Sequence, residues 1–325
     1  MVSLKVTTKY QDKTIITDYA PCVSKIDTVT QRIDAAGKMT FVLTENQGIS
    51  IREGAGVLCE VDGVGLFKGY VFKAEKTVGK KVTYTCYDQL RYLKAKASYA
   101  FTAMSVEQII KRIADDFGLQ VGTLENTGYK IPSLIKDNES CLDIIFGALQ
   151  ETNIQTGKIF VFYDDLGKLT LKECKNLQWN KIVGDESLLS NFTYSRSLEN
   201  TYNRIKFARP NKTTGRAETY VTQNSSTQNQ WGVLQLYKVV DENMNAAQID
   251  ELCKAYLKYY DRVWQTLKVS KVIAYTPFRA GWFVPIQIND IYNGAIRLFL
   301  AEKVTHHLTG DTHVMDIEVK NFDEV

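Results

Sequence analysis

The 325-residue sequence predicts an α+β protein that is mainly β. We expect two similar small antiparallel β-barrels with an intervening α+β domain and an inserted helix. Short β-rich segments follow one another closely near the N-terminus and return near the C-terminus. Helical periodicity is confined to the middle of the chain and one later segment. Two of the strand regions also resemble each other in sequence.

The first predicted barrel occupies residues 1–98. Its strands are β-rich segments bounded by Asp, Asn or Gly, and no long helical pattern separates them. They lie at residues 4–6, 13–17, 38–43, 57–61, 69–74 and 81–86. A short helical turn over 87–93 is expected to lead out of the barrel.

The predicted α+β domain occupies residues 99–187. Ser105 and Gln108 form a capping box, and a helical apolar face follows as far as Gly118. A second helix begins at Ser140, and two strands at 158–163 and 168–172 form a hairpin. Two amphipathic helices beside a hairpin indicate a small core of their own.

The second predicted barrel occupies residues 188–325, with a loop and helix inserted at about 209–263. Its strands are expected at 188–194, at 202–208 and again after the inserted helix, to the end of the chain. Residues 211–230 carry few apolar side chains, which predicts a mobile loop whose segment 224–230 is ordered only in an assembly. Residues 246–263 form a helix with an apolar face.

Composition excludes several classes of protein. Forty basic and 37 acidic residues are well mixed and give a net charge of +3, so a general nucleic-acid binder is not expected. No uncharged apolar run reaches 18 residues, and the N-terminus becomes polar at once, which argues against a membrane-spanning helix and a signal peptide. The six cysteines lie mostly in apolar surroundings and are interpreted as buried free thiols.

Two strand regions form an internal repeat. Residues 51–77 and 278–304 align without a gap and are identical at 7 of 27 positions. The alternating apolar residues of 57–61 recur at 284–288. Residues 81–87 are matched to 313–319. We interpret the match as a duplication, one copy in each barrel. The identical pairs are Arg52 and Arg279, Gly54 and Gly281, Val57 and Val284, Phe72 and Phe299, Ala74 and Ala301, Glu75 and Glu302, and Lys76 and Lys303.

No residue is predicted to be catalytic, to bind a cofactor or to ligate a metal. His306, His307 and His313 lie in one predicted hairpin, but neighbouring strand residues point to opposite faces and do not easily share a metal. An exposed turn is therefore preferred for this hairpin. Glu75 and Glu302 recur at matching positions of the repeat and are expected to form structural ion pairs. These observations favour a structural or interaction protein over an enzyme.

Several segments of the chain resemble the baseplate hub proteins of contractile phage tails. The type is the XkdQ/YqbQ group of PBSX-like prophages and phage-tail-like bacteriocins. The resemblance spans nearly the whole chain and is greatest in the middle domain. The segments are Phe101-Thr-Ala-Met-Ser-Val-Glu-Gln-Ile-Ile110, Ser140-Cys-Leu-Asp-Ile-Ile145, Gly167-Lys-Leu-Thr-Leu171, Asp88-Gln-Leu-Arg-Tyr-Leu93 and Tyr194-Ser-Arg-Ser-Leu-Glu-Asn200.

The resemblance implies a non-enzymatic hub made in the bacterial cytoplasm and built into the baseplate of a virion or tail-like particle. Such hubs form homotrimers, in which two barrels per chain give a ring of six. The ring lies between the hexameric tail tube and the trimeric central spike, contacts other baseplate proteins, and requires no nucleic acid or membrane. Because the sequence ends after the second barrel, we expect no fused lytic domain.

The sequence leaves two other functions open. One is a glycan-binding accessory protein of a tail-associated cell-wall hydrolase, which exposed aromatic residues along a groove would support. The other is a metal-dependent hydrolase that uses the histidine hairpin, which a bound metal would support.

Overall fold

The computed structural model describes residues 1–10, 13–44, 51–79, 81–184, 191–211 and 215–321. The N-terminal unit consists of seven strands. Asp62 and Gly63 both adopt positive φ between its fifth and sixth strands, as a tight two-residue hairpin requires. The strands are β1 (Val2–Tyr10), β2 (Lys13–Asp18), β3 (Val23–Gln31), β4 (Lys38–Thr44), β5 (Gly56–Val61), β6 (Val64–Thr77) and β7 (Lys81–Tyr87).

The middle domain packs two helices against short strands. Ser105 and Gln108 form the predicted capping box at the first helix, and Ser140 caps the second helix, which ends at Gly157 in the left-handed conformation. A 3-10 helix, Gln89–Lys94, leads into the domain. Its elements are β8 (Lys96–Met104), α1 (Val106–Asp116), β9 (Val121–Leu124), β10 (Ile131–Ser140), α2 (Cys141–Thr156), β11 (Phe160–Asp164) and β12 (Leu169–Glu173).

The C-terminal part contains a second set of strands and an insertion. Two strands come first, β13 (Val183–Gly184) and β14 (Asn191–Ser197). The insertion then comprises β15 (Arg204–Asn211), β16 (Arg216–Gln223), α3 (Ser225–Trp231), β17 (Gln235–Val239) and α4 (Ala246–Tyr260). The chain returns to the main sheet with β18 (Trp264–Ile273), β19 (Phe283–Gln287), β20 (Arg297–Thr309) and β21 (Thr312–Asn321).

The predicted α+β class with mainly β structure is confirmed, but the two barrels are not separate closed objects. Thirteen strands form one sheet in the order β14-β18-β21-β20-β3-β4-β7-β6-β5-β1-β2, with β19 on β20 and β13 on β19. Among the described strands this order is open at β2 and β14. Two cores lie along the sheet, one around Phe41 in the first unit and one around Phe299 in the second. Each core is wrapped by half of the sheet.

Five strands of each unit follow the same order. The series β3-β4-β7-β6-β5 in the first unit corresponds to β14-β18-β21-β20-β19 in the second. Gly54 and Gly281 have φ near +90° in matching turns, and their N–H groups donate to β6 and β20. The alternating residues of β5 and β19 point into their respective cores. That the units arose by duplication stays a prediction.

The gapless alignment of the repeat is wrong beyond its first strand. Val57 pairs with Gly69, and Val284 pairs with Phe299. The first strands therefore match as predicted, but Gly69 corresponds to Phe299 instead of Ile296. A β-bulge supports this changed correspondence between β6 and β20, because it follows Val71 in β6 and Ala301 in β20. The longer connection between β19 and β20 absorbs the extra residues.

As a result, four of the identical pairs in the sequence alignment do not occupy equivalent positions in the two units. Phe72 corresponds to Glu302 instead of Phe299, and Phe72 is exposed whereas Phe299 is buried. The pairs that begin with Ala74, Glu75 and Lys76 are displaced in the same way. The predicted alignment of 81–87 with 313–319 is also wrong by one residue. It matched Tyr87 of β7 with Val319 of β21, whereas the backbone pairing matches Cys86 with Val319. A one-residue error exchanges the two faces of a strand.

The segment predicted to be a mobile loop is folded. Its residues 212–214 lie outside the described residues, but β16 and α3 occupy the remainder. Asn224 caps α3 by accepting a hydrogen bond from the N–H of Ser226, and the Asn224 amide and the Thr227 hydroxyl both donate to Asp261. Hydrogen bonds therefore replace the apolar contacts that the sequence lacks.

The small sheet of the insertion also takes a strand that we predicted for the second barrel. The predicted strand 202–208 is β15, and it pairs with β16 and β17 instead of the large sheet. Ile205 and Phe207 on β15 pack against α4 in a core of their own. The predicted boundaries at 98/99 and 187/188 stay predictions, and the second lies outside the described residues.

Candidate assembly site

The two units are joined by direct strand pairing between β3 and β20. The register runs from Ile26 opposite Leu308 to Gln31 opposite Lys303. Leu308 belongs to β20 of the second unit, yet its side chain is buried in the core of the first. Fully buried apolar side chains contribute roughly 1.5–3 kcal/mol each. We call this contact the β3–β20 junction.

A largely buried ion pair marks one end of the β3–β20 junction. The Arg32 guanidinium donates to Glu302 Oε1 from Nη2 at 2.8 Å and from Nε at 3.0 Å, and both side chains are 13% exposed. The Arg32 N–H also donates to the Glu302 carbonyl oxygen at 2.9 Å. The ion pair predicted for Glu302 is thus confirmed, and Glu75 forms an exposed one with Lys73.

The histidine hairpin contains a buried member, so its interpretation as an exposed turn is wrong for His306. His306 Nε2 donates to the carbonyl oxygen of Phe278 at 2.8 Å, and its Nδ1 lies 3.0 Å from His313 Nε2. Burial lowers the pKa of His306 to about 4. His307 faces the opposite side and lies 2.6 Å from Asp27 Oδ1 on β3. The histidines therefore link strands and neighbouring loops.

Acidic groups are buried where the middle domain meets the second unit. Burial raises the pKa of Asp88 well above its ordinary value, and the nearby Asp164 raises it further. Burial also raises the pKa of Asp164. Arg279 lies between these groups: its Nη1 donates to the Asp164 carbonyl oxygen at 3.0 Å and its guanidinium stacks on Tyr163 at 3.9 Å. The arrangement holds the domains together.

Arg52 and Arg279 occupy equivalent positions but differ in environment, since Arg52 is exposed. Gly281 lies against the middle domain, where a Cβ would approach the Cβ of Val161 to 2.5 Å. A Cβ on Gly54 would meet no atom within 4 Å. The second unit therefore contacts the middle domain at a surface that the first unit leaves open.

An exposed aromatic cluster lies beside the C-terminal half of β6. Phe72 contacts the rings of Tyr87 and Tyr92, and Tyr92 also contacts Tyr70. The Arg91 guanidinium lies 5.9 Å from the Phe72 ring centroid. Tyr70, Phe72 and Tyr92 each expose more than a third of their surface. Exposed apolar surface of this kind marks interaction sites. The sequence repeat did not reveal it, because it matched Phe72 only with the identical residue Phe299, which is buried.

The described residues contain neither a metal-binding cluster nor a membrane-spanning helix. No group of three or more His, Cys, Asp or Glu side chains in that part of the chain is arranged to hold a metal ion. No described helix is both long and apolar enough to cross a membrane. The six cysteines are free and five are buried, as predicted. Burial raises the pKa of Cys59, Cys86 and Cys174 to about 12, which keeps these thiols protonated.

Solved structures of tail proteins share the fold over nearly the whole chain. The 43 kDa tail protein of prophage MuSo2 from Shewanella oneidensis is similar with a TM-score of 0.71 and 13% identity, covering 99% of both chains. A tail protein from Neisseria meningitidis MC58 gives a TM-score of 0.69 and 13% identity, covering 99% of this chain and 97% of its own. The fold is that of phage tail proteins.

Sequence comparison identifies the family. The family model described as YQBQ-like matches residues 26–320. The Bacillus subtilis strain 168 protein YqbQ is 33% identical over 297 residues, which cover 89% of each chain. The phage-like element PBSX protein XkdQ of the same strain is 31% identical, covering 83% of this chain and 82% of its own. The chain belongs to the YQBQ-like family.

Proposed function

We propose that the protein is a structural hub of a contractile-tail baseplate. In this role it is a ring-forming adaptor between the hexameric tail tube and the trimeric central spike. The observation that carries the proposal is the pair of five-strand units with one strand order, joined edge to edge within a single chain. Similarity to tail proteins of known structure and to the PBSX protein XkdQ supports the same class of role.

The paired units would resolve a mismatch of symmetry. Three chains supply six similar units, so a homotrimer can present a nearly sixfold surface to the tube and a threefold surface to the spike. Head-to-tail contacts that close on themselves generate such a ring. In this role the groups described above stabilise the fold and are not catalytic. They are the Arg32–Glu302 ion pair, the three histidines, and Asp88 with Asp164. The protein would be made in the bacterial cytoplasm and act within the particle.

Copy number in purified tail particles tests the proposal. We expect three copies per particle when peptides of this chain are quantified by mass spectrometry against isotope-labelled standards, with the tail tube protein measured in the same sample. Crosslinking should join the chain to the tube protein and to a spike protein. Absence from purified particles would refute the proposal, as would six copies per particle.

A further inference from the structure

We propose that neighbouring copies of this chain join by strand addition, β14 of one copy pairing with residues 73–77 of β6 in the next copy. This contact would repeat the β3–β20 junction between chains. The inference rests on the proposed ring and specifies the surfaces that close it. The occupant of each surface is a second copy, because each surface corresponds to one half of a contact already present within the chain.

The first surface is β14, which corresponds to β3. Ile26 pairs with Phe41 of β4, and Phe192 pairs with Val269 of β18. Phe41 pairs with Tyr84 of β7, and Val269 pairs with Ile317 of β21. β3 has neighbours on both sides, β4 and β20. β14 has β18 on one side and no other described strand on the other.

The second surface is the C-terminal half of β6, which corresponds to the part of β20 that pairs with β3. Val71 and Ala301 precede the shared bulge, so residues 73–77 correspond to 303–307. In β20 the side chains of Val304 and His306 are buried. In β6 the five side chains of residues 72–76 are all exposed, and residues 73–77 pair with β7 alone among the described strands.

The correspondence fixes a register between copies. In the β3–β20 junction Val29 lies opposite Thr305 and Thr30 opposite Val304. Their equivalents place Ser195 of one copy opposite Glu75 of the next, and Arg196 opposite Ala74. At the shared bulge, Leu198 takes the place of Arg32 and Phe72 that of Glu302. An apolar contact thus replaces the buried ion pair, and it would cover the exposed aromatic cluster.

The end of the strand supports the same pairing. Leu308 reaches from β20 into the core of the first unit, and its equivalent Val78 follows β6 and is fully exposed. Between copies, Val78 would reach toward the second core of the copy that supplies β14. A bare edge strand is a hazard for aggregation that proteins cover, and here a second copy is the cover.

Paired cysteines test the register in assembled particles. Residues directly opposite on antiparallel strands fall within disulfide range, whereas diagonal neighbours about 7–8 Å apart do not. We would carry Glu75→Cys with Ser195→Cys in one strain, and Glu75→Cys with Ser197→Cys as the matched control in another. After mild oxidation, particles that carry Glu75→Cys with Ser195→Cys should show covalent trimers on non-reducing electrophoresis, at three times the chain mass of 36.9 kDa. The control should remain monomeric.

A charge exchange gives a second, independent readout. Ala74→Arg should reduce the yield of complete particles at least tenfold, because two guanidinium groups would then face each other, and Arg196→Glu in the same chain should restore it. Thr193→Glu, on the other face of β14, should not. Particles with three copies but no crosslink in the first pair would overturn the strand addition and leave the hub role intact. Particles without the chain would overturn both.

Discussion

Arg32→Ala is expected to lower the free energy of unfolding because it leaves the largely buried Glu302 carboxylate without its partner. Arg32 and Glu302 are each 13% exposed, and two N–H groups of the guanidinium donate to the same carboxylate oxygen. Removing one member of such a pair costs roughly 3–5 kcal/mol in buried sites. Because a little solvent reaches both groups, we expect about 3 kcal/mol. The double change Arg32→Met with Glu302→Met removes both charges and should cost less than about 1 kcal/mol.

Urea unfolding at pH 7, followed by far-ultraviolet circular dichroism, measures both variants against the unchanged protein. Tryptophan fluorescence reports the part of the chain that follows β12, because all four tryptophans lie there, with Trp179 buried in the core of the second unit and Trp231 in the insertion. Lys254→Ala is the matched control, because Lys254 pairs with Asp250 on the exposed face of α4 and should contribute less than about 1 kcal/mol. A double variant as unstable as Arg32→Ala would refute the reasoning, since the loss would then come from packing and not from an unpaired charge.

Three further expectations concern stability. The neutral, buried His306 has a pKa of about 4 against an ordinary 6.5, so the unfolded chain binds the proton first and His306 lowers stability by up to about 3 kcal/mol as pH drops from 6.5 to 4. Asp88 and Asp164, whose pKa values are raised by burial, act in the opposite direction. The contribution of His306 is therefore the difference between urea titrations of the unchanged protein and of His306→Gln, and equal pH dependence of the two would contradict it. Leu308→Ala should cost about 2–5 kcal/mol, measured by urea unfolding, unlike Val78→Ala in the isolated chain. Asn224→Ala should lower stability by about 1 kcal/mol through loss of a helix cap, seen as a reduced melting temperature.

Local patterns in the sequence were sufficient to predict α1, α2, α4 and most strands, but not α3. Ser105 and Ser140 act within a few residues of themselves, so their capping roles follow from spacing alone. The alternation in 57–61 and 284–288 likewise depends on neighbours two residues apart. Such features are read from short windows, which is why the α+β class and the mainly β content were correct.

Long-range register could not be read in the same way. An alignment of identical residues matched Phe72 with Phe299, but backbone pairing matches Phe72 with Glu302. The number of identical residues favoured an alignment without a gap. The connection before β20 is longer than the one before β6, so the correct alignment needs a gap there. The β3–β20 junction joins residues about 270 positions apart, and no local pattern indicates which strand edges meet. The aromatic cluster at Phe72 was missed for the same reason.

The β3–β20 junction also affects how a ring could be populated in the cell. Because both of its strands belong to one chain, it forms at a rate and to an extent that do not depend on protein concentration. Tethering raises the effective concentration of the partner strand to about the millimolar range. In a ring of six units, three contacts would then be present in every folded chain, and the other three would follow mass action. Free chains could accumulate as monomers until the remaining parts of the tail raise the local concentration of copies.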